Sequence, residues 1–149
     1  MKYILTFAIA AFFIVMGQAQ NEYVSWSAEL VKKSADEYEV VLVADIEYKW
    51  FLYSQYLEEG GPIPTTIDFE ESDAYSLEGK TDELAENSVE VMDDMFGMKL
   101  KKYKNKATFV QKIKSKSDLK SVKGSVEFMT CDDARCLPPE VIDFTATLK

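Results

Sequence analysis

Only one stretch of this chain, residues 81–92, could carry a helix, and even there Leu84, Val89 and Met92 are spaced poorly for a helical face. Most of the chain beyond the N-terminal leader reads as short, strand-like segments. Residues 38–46 are rich in β-branched side chains and apolar on both parities, as a strand near the middle of a sandwich would be. Residues 50–53, Trp-Phe-Leu-Tyr, are too few and too aromatic for a helix and are read as a strand. Residues 65–69, 107–113, 124–129 and 141–148 alternate with period two to differing degrees, the mark of strands with one wet face. Between the early and later strands, residues 58–64 combine glycines that permit positive φ with prolines that remove ladder donors, so a connection is expected there. Many short strands without alternating helical units predict an all-β fold, an immunoglobulin-like antiparallel β-sandwich. No repeat or linker divides the chain, so residues 20–149 are expected to form one domain.

Residues 1–19 read as an address. Lys2 is followed by an apolar run from Tyr3 to Met16, broken only by Thr6, and then by Gly17-Gln18-Ala19, the small residues a signal peptidase requires. The run is shorter than the roughly 20 residues that cross a bilayer as a helix. It predicts a secretory signal peptide cleaved after Ala19, and a mature protein that is exported, periplasmic or secreted, and not inserted in the membrane. No cysteine follows the run, so a lipoprotein is not expected.

The formal charge of -9 argues against a nucleic-acid partner, since such binding draws its affinity from neutralising phosphates with Lys and Arg. The chain has no histidine, which removes the Ser-His-Asp triad, the papain-type Cys-His pair and His-ligated zinc. Its two cysteines, Cys131 and Cys136, cannot by themselves furnish a closed zinc site, so no metal is expected.

Four residues separate the two thiols, and apolar strand-like runs flank them. Residues facing each other across such a hairpin loop have Cα atoms about 4.5–5.5 Å apart, inside the window a disulfide accepts. In an exported protein such a pair is normally oxidised. Spacing leaves two readings open: a stabilising clasp, or a redox-active pair. The clasp is a weak staple, because closing a loop of about six residues stabilises by only roughly 2 kcal/mol. Arg135 favours a thiolate at Cys136, whereas Asp132 and Asp133 oppose one at Cys131.

Other features carry less. Asp68, Glu70, Glu71 and Asp73 have the acid content of a calcium loop but no glycine at its turn, and are read as a solvated edge. Lys99, Lys101, Lys102, Lys104 and Lys106 form a basic run, read either as edge-strand protection or as a docking patch for an acidic partner. Asp93 and Asp94 point to opposite faces if extended, so they are not a two-carboxylate glycosidase pair.

The element Cys131-x4-Cys136-Leu137-Pro138-Pro139, taken with Trp50-Phe51-Leu52-Tyr53-Ser54 and Gly61-Pro62-Ile63-Pro64-Thr65, resembles the N-terminal periplasmic domain of DsbD-type thiol:disulfide interchange proteins, also called the disulfide bond corrector domain. The likeness spans most of the chain after the leader, although the cysteine spacing is one residue shorter than in the best-known members. It implies an immunoglobulin-like sandwich whose Cys131/Cys136 pair passes reducing equivalents by dithiol-disulfide exchange, with no cofactor, to thioredoxin-like partners or cytochrome c maturation proteins. It also implies a cap over the sulfurs. Asp93-Asp94-Met95-Phe96-Gly97 is the matching segment, with Met95 or Phe96 as the shield and Tyr53 near the thiols. Cys136 is the expected exchanging sulfur and Cys131 the resolving one. With neither membrane segments nor a thioredoxin-like domain in this sequence, the electron donor is expected to be a separate membrane-embedded protein. The alternative is a secreted immunoglobulin-like binding module whose disulfide is structural.

Overall fold

Alternation of apolar and polar side chains builds most of this molecule. In the strand Glu37–Ile46, Tyr38, Val40, Leu42, Ala44 and Ile46 are buried while the residues between them are partly or fully exposed, as a period-two pleat requires. The computed structural model describes residues 22–149, so the leader at residues 1–19 lies outside the described residues.

The strands in chain order are β1 (Val24–Lys32), β2 (Glu37–Ile46), β3 (Phe51–Tyr53), β4 (Thr66–Phe69), β5 (Ser76–Glu83), β6 (Ser88–Asp93), β7 (Met98–Lys104), β8 (Lys106–Lys114), β9 (Ser121–Phe128), β10 (Thr130–Cys131) and β11 (Glu140–Leu148). Seven form one sheet in the order β4-β9-β11-β1-β2-β8-β5, and four form a second in the order β10-β3-β7-β6. All neighbours are antiparallel except β1 and β11, which run parallel. The architecture is an all-β, immunoglobulin-like sandwich, with that one parallel pairing added to the antiparallel plan.

The main core lies between the sheets. Leu30, Val40, Leu42, Phe109, Val126 and Phe128 from the large sheet meet Leu52 and Tyr103 from the small one. Because successive side chains of a strand point to opposite faces, Leu52 and Tyr103 face this core while their neighbours Phe51, Tyr53 and Leu100 fall in a second cluster, on the outer face of the small sheet. That second cluster contains Cys131.

One weak helix candidate is settled and one expectation is corrected. Residues 81–92 hold no helix: they are the end of β5, a turn at Asn87 with φ of 60°, and most of β6. Leu84, Val89 and Met92 are all exposed, so no apolar stripe faces a core to stabilise a helix there. The lysine run is not an edge, because β7 lies between β3 and β6, and β8, which begins at Lys106, lies between β2 and β5. Four of the run's five lysines are in ion pairs: Lys99 with Glu90, Lys101 with Glu83, Lys102 with Asp93 and Lys106 with Asp45.

Gly124 of β9 sits opposite Phe69 of β4 and Phe144 of β11. A Cβ there would collide with the Asp68 carbonyl oxygen and lie 2.6 Å from Phe144 Cζ. Backbone cannot yield as a side chain can, so Gly124→Ala is expected to cost at least the ~1–3 kcal/mol typical of overpacking. A urea unfolding midpoint equal to that of the wild type would refute this.

Candidate functional site

The chain between β9 and β11 leaves the large sheet to reach the small one. Phe128 and Glu140 pair across the two strands, and the residues between them form an excursion. In it, Thr130 pairs with Leu52 and Cys131 with Phe51, which adds β10 to the edge of the small sheet. The chain then folds back on itself: the Leu137 amide donates to the Thr130 carbonyl at 2.9 Å and the Asp132 amide donates to the Arg135 carbonyl at 2.9 Å. Cys131 and Cys136 face each other between these two bonds, at the position of an antiparallel ladder where side chains approach most closely. Their Cα atoms are 4.1 Å apart and their sulfurs are bonded.

Local sequence explains the turn. Asp132 Oδ1 accepts the amides of Ala134 and Arg135, each at 2.8 Å, closing an Asx turn. Those two amides, followed by the Arg135 charge, hold the Asp132 carboxyl below the usual carboxylate range. Pro138 and Pro139 lack amide protons, so the small ladder cannot extend past Leu137.

The two sulfurs have different surroundings. Cys131 is fully buried with Phe51, Tyr53 and Leu100, whereas Cys136 is half-buried at the margin of the same cluster. Leu57, Phe96, Met98 and Met129 pack around it. Phe51 and Tyr53 meet edge to face at 5.6 Å, and Phe96 meets Tyr53 in the same manner at 6.1 Å. Burial, reinforced by the Asp93 charge, pushes the Tyr53 phenol well above its ordinary value and keeps it neutral.

The β6–β7 turn, residues 94–97, is organised by Asp93. Its Oδ1 accepts the amides of Met95 at 2.9 Å and Phe96 at 3.1 Å. Its Oδ2 accepts the Tyr53 hydroxyl at 3.4 Å and lies 2.6 Å from Lys102 Nζ. Gly97, with φ of 64°, closes the turn by donating its amide to the Asp93 carbonyl at 2.7 Å. Burial would raise the Asp93 carboxyl, but the Lys102 ammonium and the two amides outweigh it and hold it below the usual range.

Of the residues singled out in the sequence, the structure therefore brings together Cys131, Cys136, Tyr53, Asp93 and Phe96. It leaves Asp94 and Met95 exposed on the turn, with Phe96 turned inward. Arg135 lies beside Cys136 in sequence, but its guanidinium is 5.5 Å from the Trp50 ring centroid and 3.9 Å from Asp132. Lys102 was missed as a site residue. Its signal was parity: in register with Tyr53 and two residues from Leu100, it must share their face. Among the described residues no three His, Cys, Asp or Glu side chains are grouped to hold a metal ion, and no helix is long and apolar enough to cross a membrane.

Comparison with known proteins places this geometry. Residues 20–148 match the family described as thiol:disulfide interchange protein DsbD, N-terminal. Similar solved structures include the N-terminal periplasmic domain of ScsB from Proteus mirabilis, with a TM-score of 0.60 and 17% identity over 88% of this chain and 48% of that one. The Neisseria meningitidis DsbD N-terminal domain in its reduced form gives a TM-score of 0.52 and 18% identity, covering 84% of each chain. A complex between the DsbD and PilB N-terminal domains of Neisseria meningitidis gives 0.50 and 16%, covering 80% of each chain. The chain thus spans about half the length of the ScsB domain. At these identities the structural likeness establishes the fold. No curated protein matches the sequence.

Proposed function

The chain belongs to the family of DsbD N-terminal thiol:disulfide interchange domains, and from that premise we propose that it is a periplasmic module exchanging disulfides with partner proteins through Cys131 and Cys136. The observation that carries this is the unequal burial of the two bonded sulfurs. Cys136 stands at the margin of the cluster, and Cys131 lies beneath it.

In the reduced protein the Cys136 thiolate attacks a partner disulfide, forming a mixed disulfide and releasing one partner thiolate. The Cys131 thiolate then attacks Cys136 sulfur. The Cys131–Cys136 bond forms and the second partner sulfur leaves, so that two electrons have passed to the partner. Recharging is the reverse with a dithiol donor. The partners of this reading are thioredoxin-like proteins, cytochrome c maturation components among them, and the donor is a separate membrane-embedded protein. That a DsbD N-terminal domain has been captured with a PilB N-terminal domain supports a protein as the exchange partner. The residues 94–97 turn serves as the cap, with Phe96 as the shielding side chain, and the apolar pocket it helps to close limits unproductive oxidation of a reactive thiol.

The reduction potential tests the reading. An exchange module must lie near its partners, between about -270 and -120 mV, whereas a structural bond lies below about -300 mV. A value in the lower range would leave a binding module with a clasp.

A further inference from the structure

Lys102 is a charged side chain set against the apolar cluster that surrounds the disulfide, and it has no part in the chemistry above. Its ammonium lies 4.0 Å from the Phe51 ring centroid and 5.8 Å from that of Tyr53, and Phe51 is paired in register with Cys131. Its side chain is 9% exposed and that of its partner Asp93 is 1% exposed. The Asp93 carboxylate divides its work: Oδ1 holds the amides of Met95 and Phe96, and Oδ2 faces Lys102 and Tyr53. An anionic acceptor is needed to gather those amides, and a buried anion is tolerated only with a counter-charge. Lys102 is that counter-charge, steadied over the faces of two aromatic rings.

We propose that Lys102 is a positioning residue for disulfide interchange: acting through Asp93, its ammonium holds the residues 94–97 turn, and with it Phe96, over the Cys131–Cys136 cluster, and so sets how readily the sulfurs are reached. Three links connect the charge to the sulfurs: Lys102 to Asp93, Asp93 to the turn amides, and Phe96 to the ring of Tyr53. The proposal rests on the exchange reading for its purpose. Its test uses a small reductant and no protein partner, so a failed reduction-potential test and a failed test of Lys102 are separate results.

The rate at which dithiothreitol reduces the Cys131–Cys136 bond in the exported chain is the measurement. Lys102→Met, which keeps the length and removes the charge, is expected to accelerate reduction about tenfold, the equivalent of one charge-assisted hydrogen bond. Lys102→Arg is expected to restore the slow rate. Asp93→Asn is expected to accelerate reduction as well, and Lys102→Met added to it should bring no further gain, because both act through one link. A wild-type rate in Lys102→Met, equal acceleration by Lys102→Arg, or effects that multiply in the double variant would each overturn the proposal. Should Lys102→Met fail to fold, a wild-type rate in Asp93→Asn alone would overturn it.

Discussion

Replacing Cys136 with serine is expected to abolish disulfide interchange, whereas Cys131→Ser is expected to stop it one step later, with the partner held on Cys136 as a mixed disulfide. The asymmetry follows from burial. Cys131 is fully enclosed in β10, paired with Phe51, while Cys136 sits half-buried after the Asp132 turn. A partner sulfur needs a line of approach to the sulfur it attacks, and only Cys136 offers one. Nonreducing electrophoresis of each variant mixed with an oxidised thioredoxin-like protein is the check. Accumulation of the adduct with Cys136→Ser and none with Cys131→Ser would reverse the assignment. Neither variant should unfold, since the lost bond closes a loop of about six residues and contributes only roughly 2 kcal/mol. A cooperative urea transition lowered by no more than that amount, together with total loss of interchange, is the combination that separates a working bond from a clasp.

Asp93→Ala is expected to be the most damaging single change outside the hydrophobic core, lowering stability by about 3–5 kcal/mol. It strips the acceptor from the Met95 and Phe96 amides and leaves the Lys102 charge buried without its partner. The exposed pair Lys106–Asp45 provides a contrast. Asp45→Ala is expected to change stability little, because water solvates either charge once its partner is gone. Urea denaturation of the two variants decides the matter, and comparable losses would show that burial of the pair is not what counts.

Asp93 also gives the stability a sign in pH. Its folded-state value lies below the ordinary carboxylate value, so the unfolded chain binds its proton first as pH falls. Its contribution is complete above about pH 5 and is lost as pH drops through the depressed folded value. Asp93→Ala should therefore flatten the acid limb of the stability curve, and an unchanged limb would assign acid sensitivity to other carboxylates. Glu83 adds in the same direction. Although burial alone would raise it, it is held low by Ser54, Lys101 and the Gln55 amide.

How much of the site was readable beforehand differs residue by residue. Cys131 and Cys136 were evident from spacing, because four intervening residues suit a short reversal and Asp132 supplies its Asx turn. Tyr53 and the residues 93–97 turn were reached through the family resemblance, not through any pattern in the residues themselves. The choice between Met95 and Phe96 was not readable. Both are apolar neighbours on one turn, and only the path set by the Asp93 bonds and by Gly97 turns Phe96 toward Tyr53 and leaves Met95 in water. The surroundings of Arg135 were not readable for a similar reason: adjacency to Cys136 said nothing about Trp50, distant in sequence, whose ring its guanidinium approaches.

Lys102 and the stretch at residues 81–92 show where the boundary lies. Sequence alone determined the strand character of most of the chain, since period-two alternation and turn residues are local properties that act on a few consecutive residues. It also determined the sign of the net charge and the position of the only thiols. Tertiary structure alone decided that β7 is an interior strand, that one of its four lysines turns inward, and that an aspartate on the neighbouring β6 awaits it. The physical reason is that a charge's energy depends on what surrounds it after folding. A lysine reads as solvated until pairing with β3 and β6 takes its face away from water, and no local pattern reveals which strands will do so.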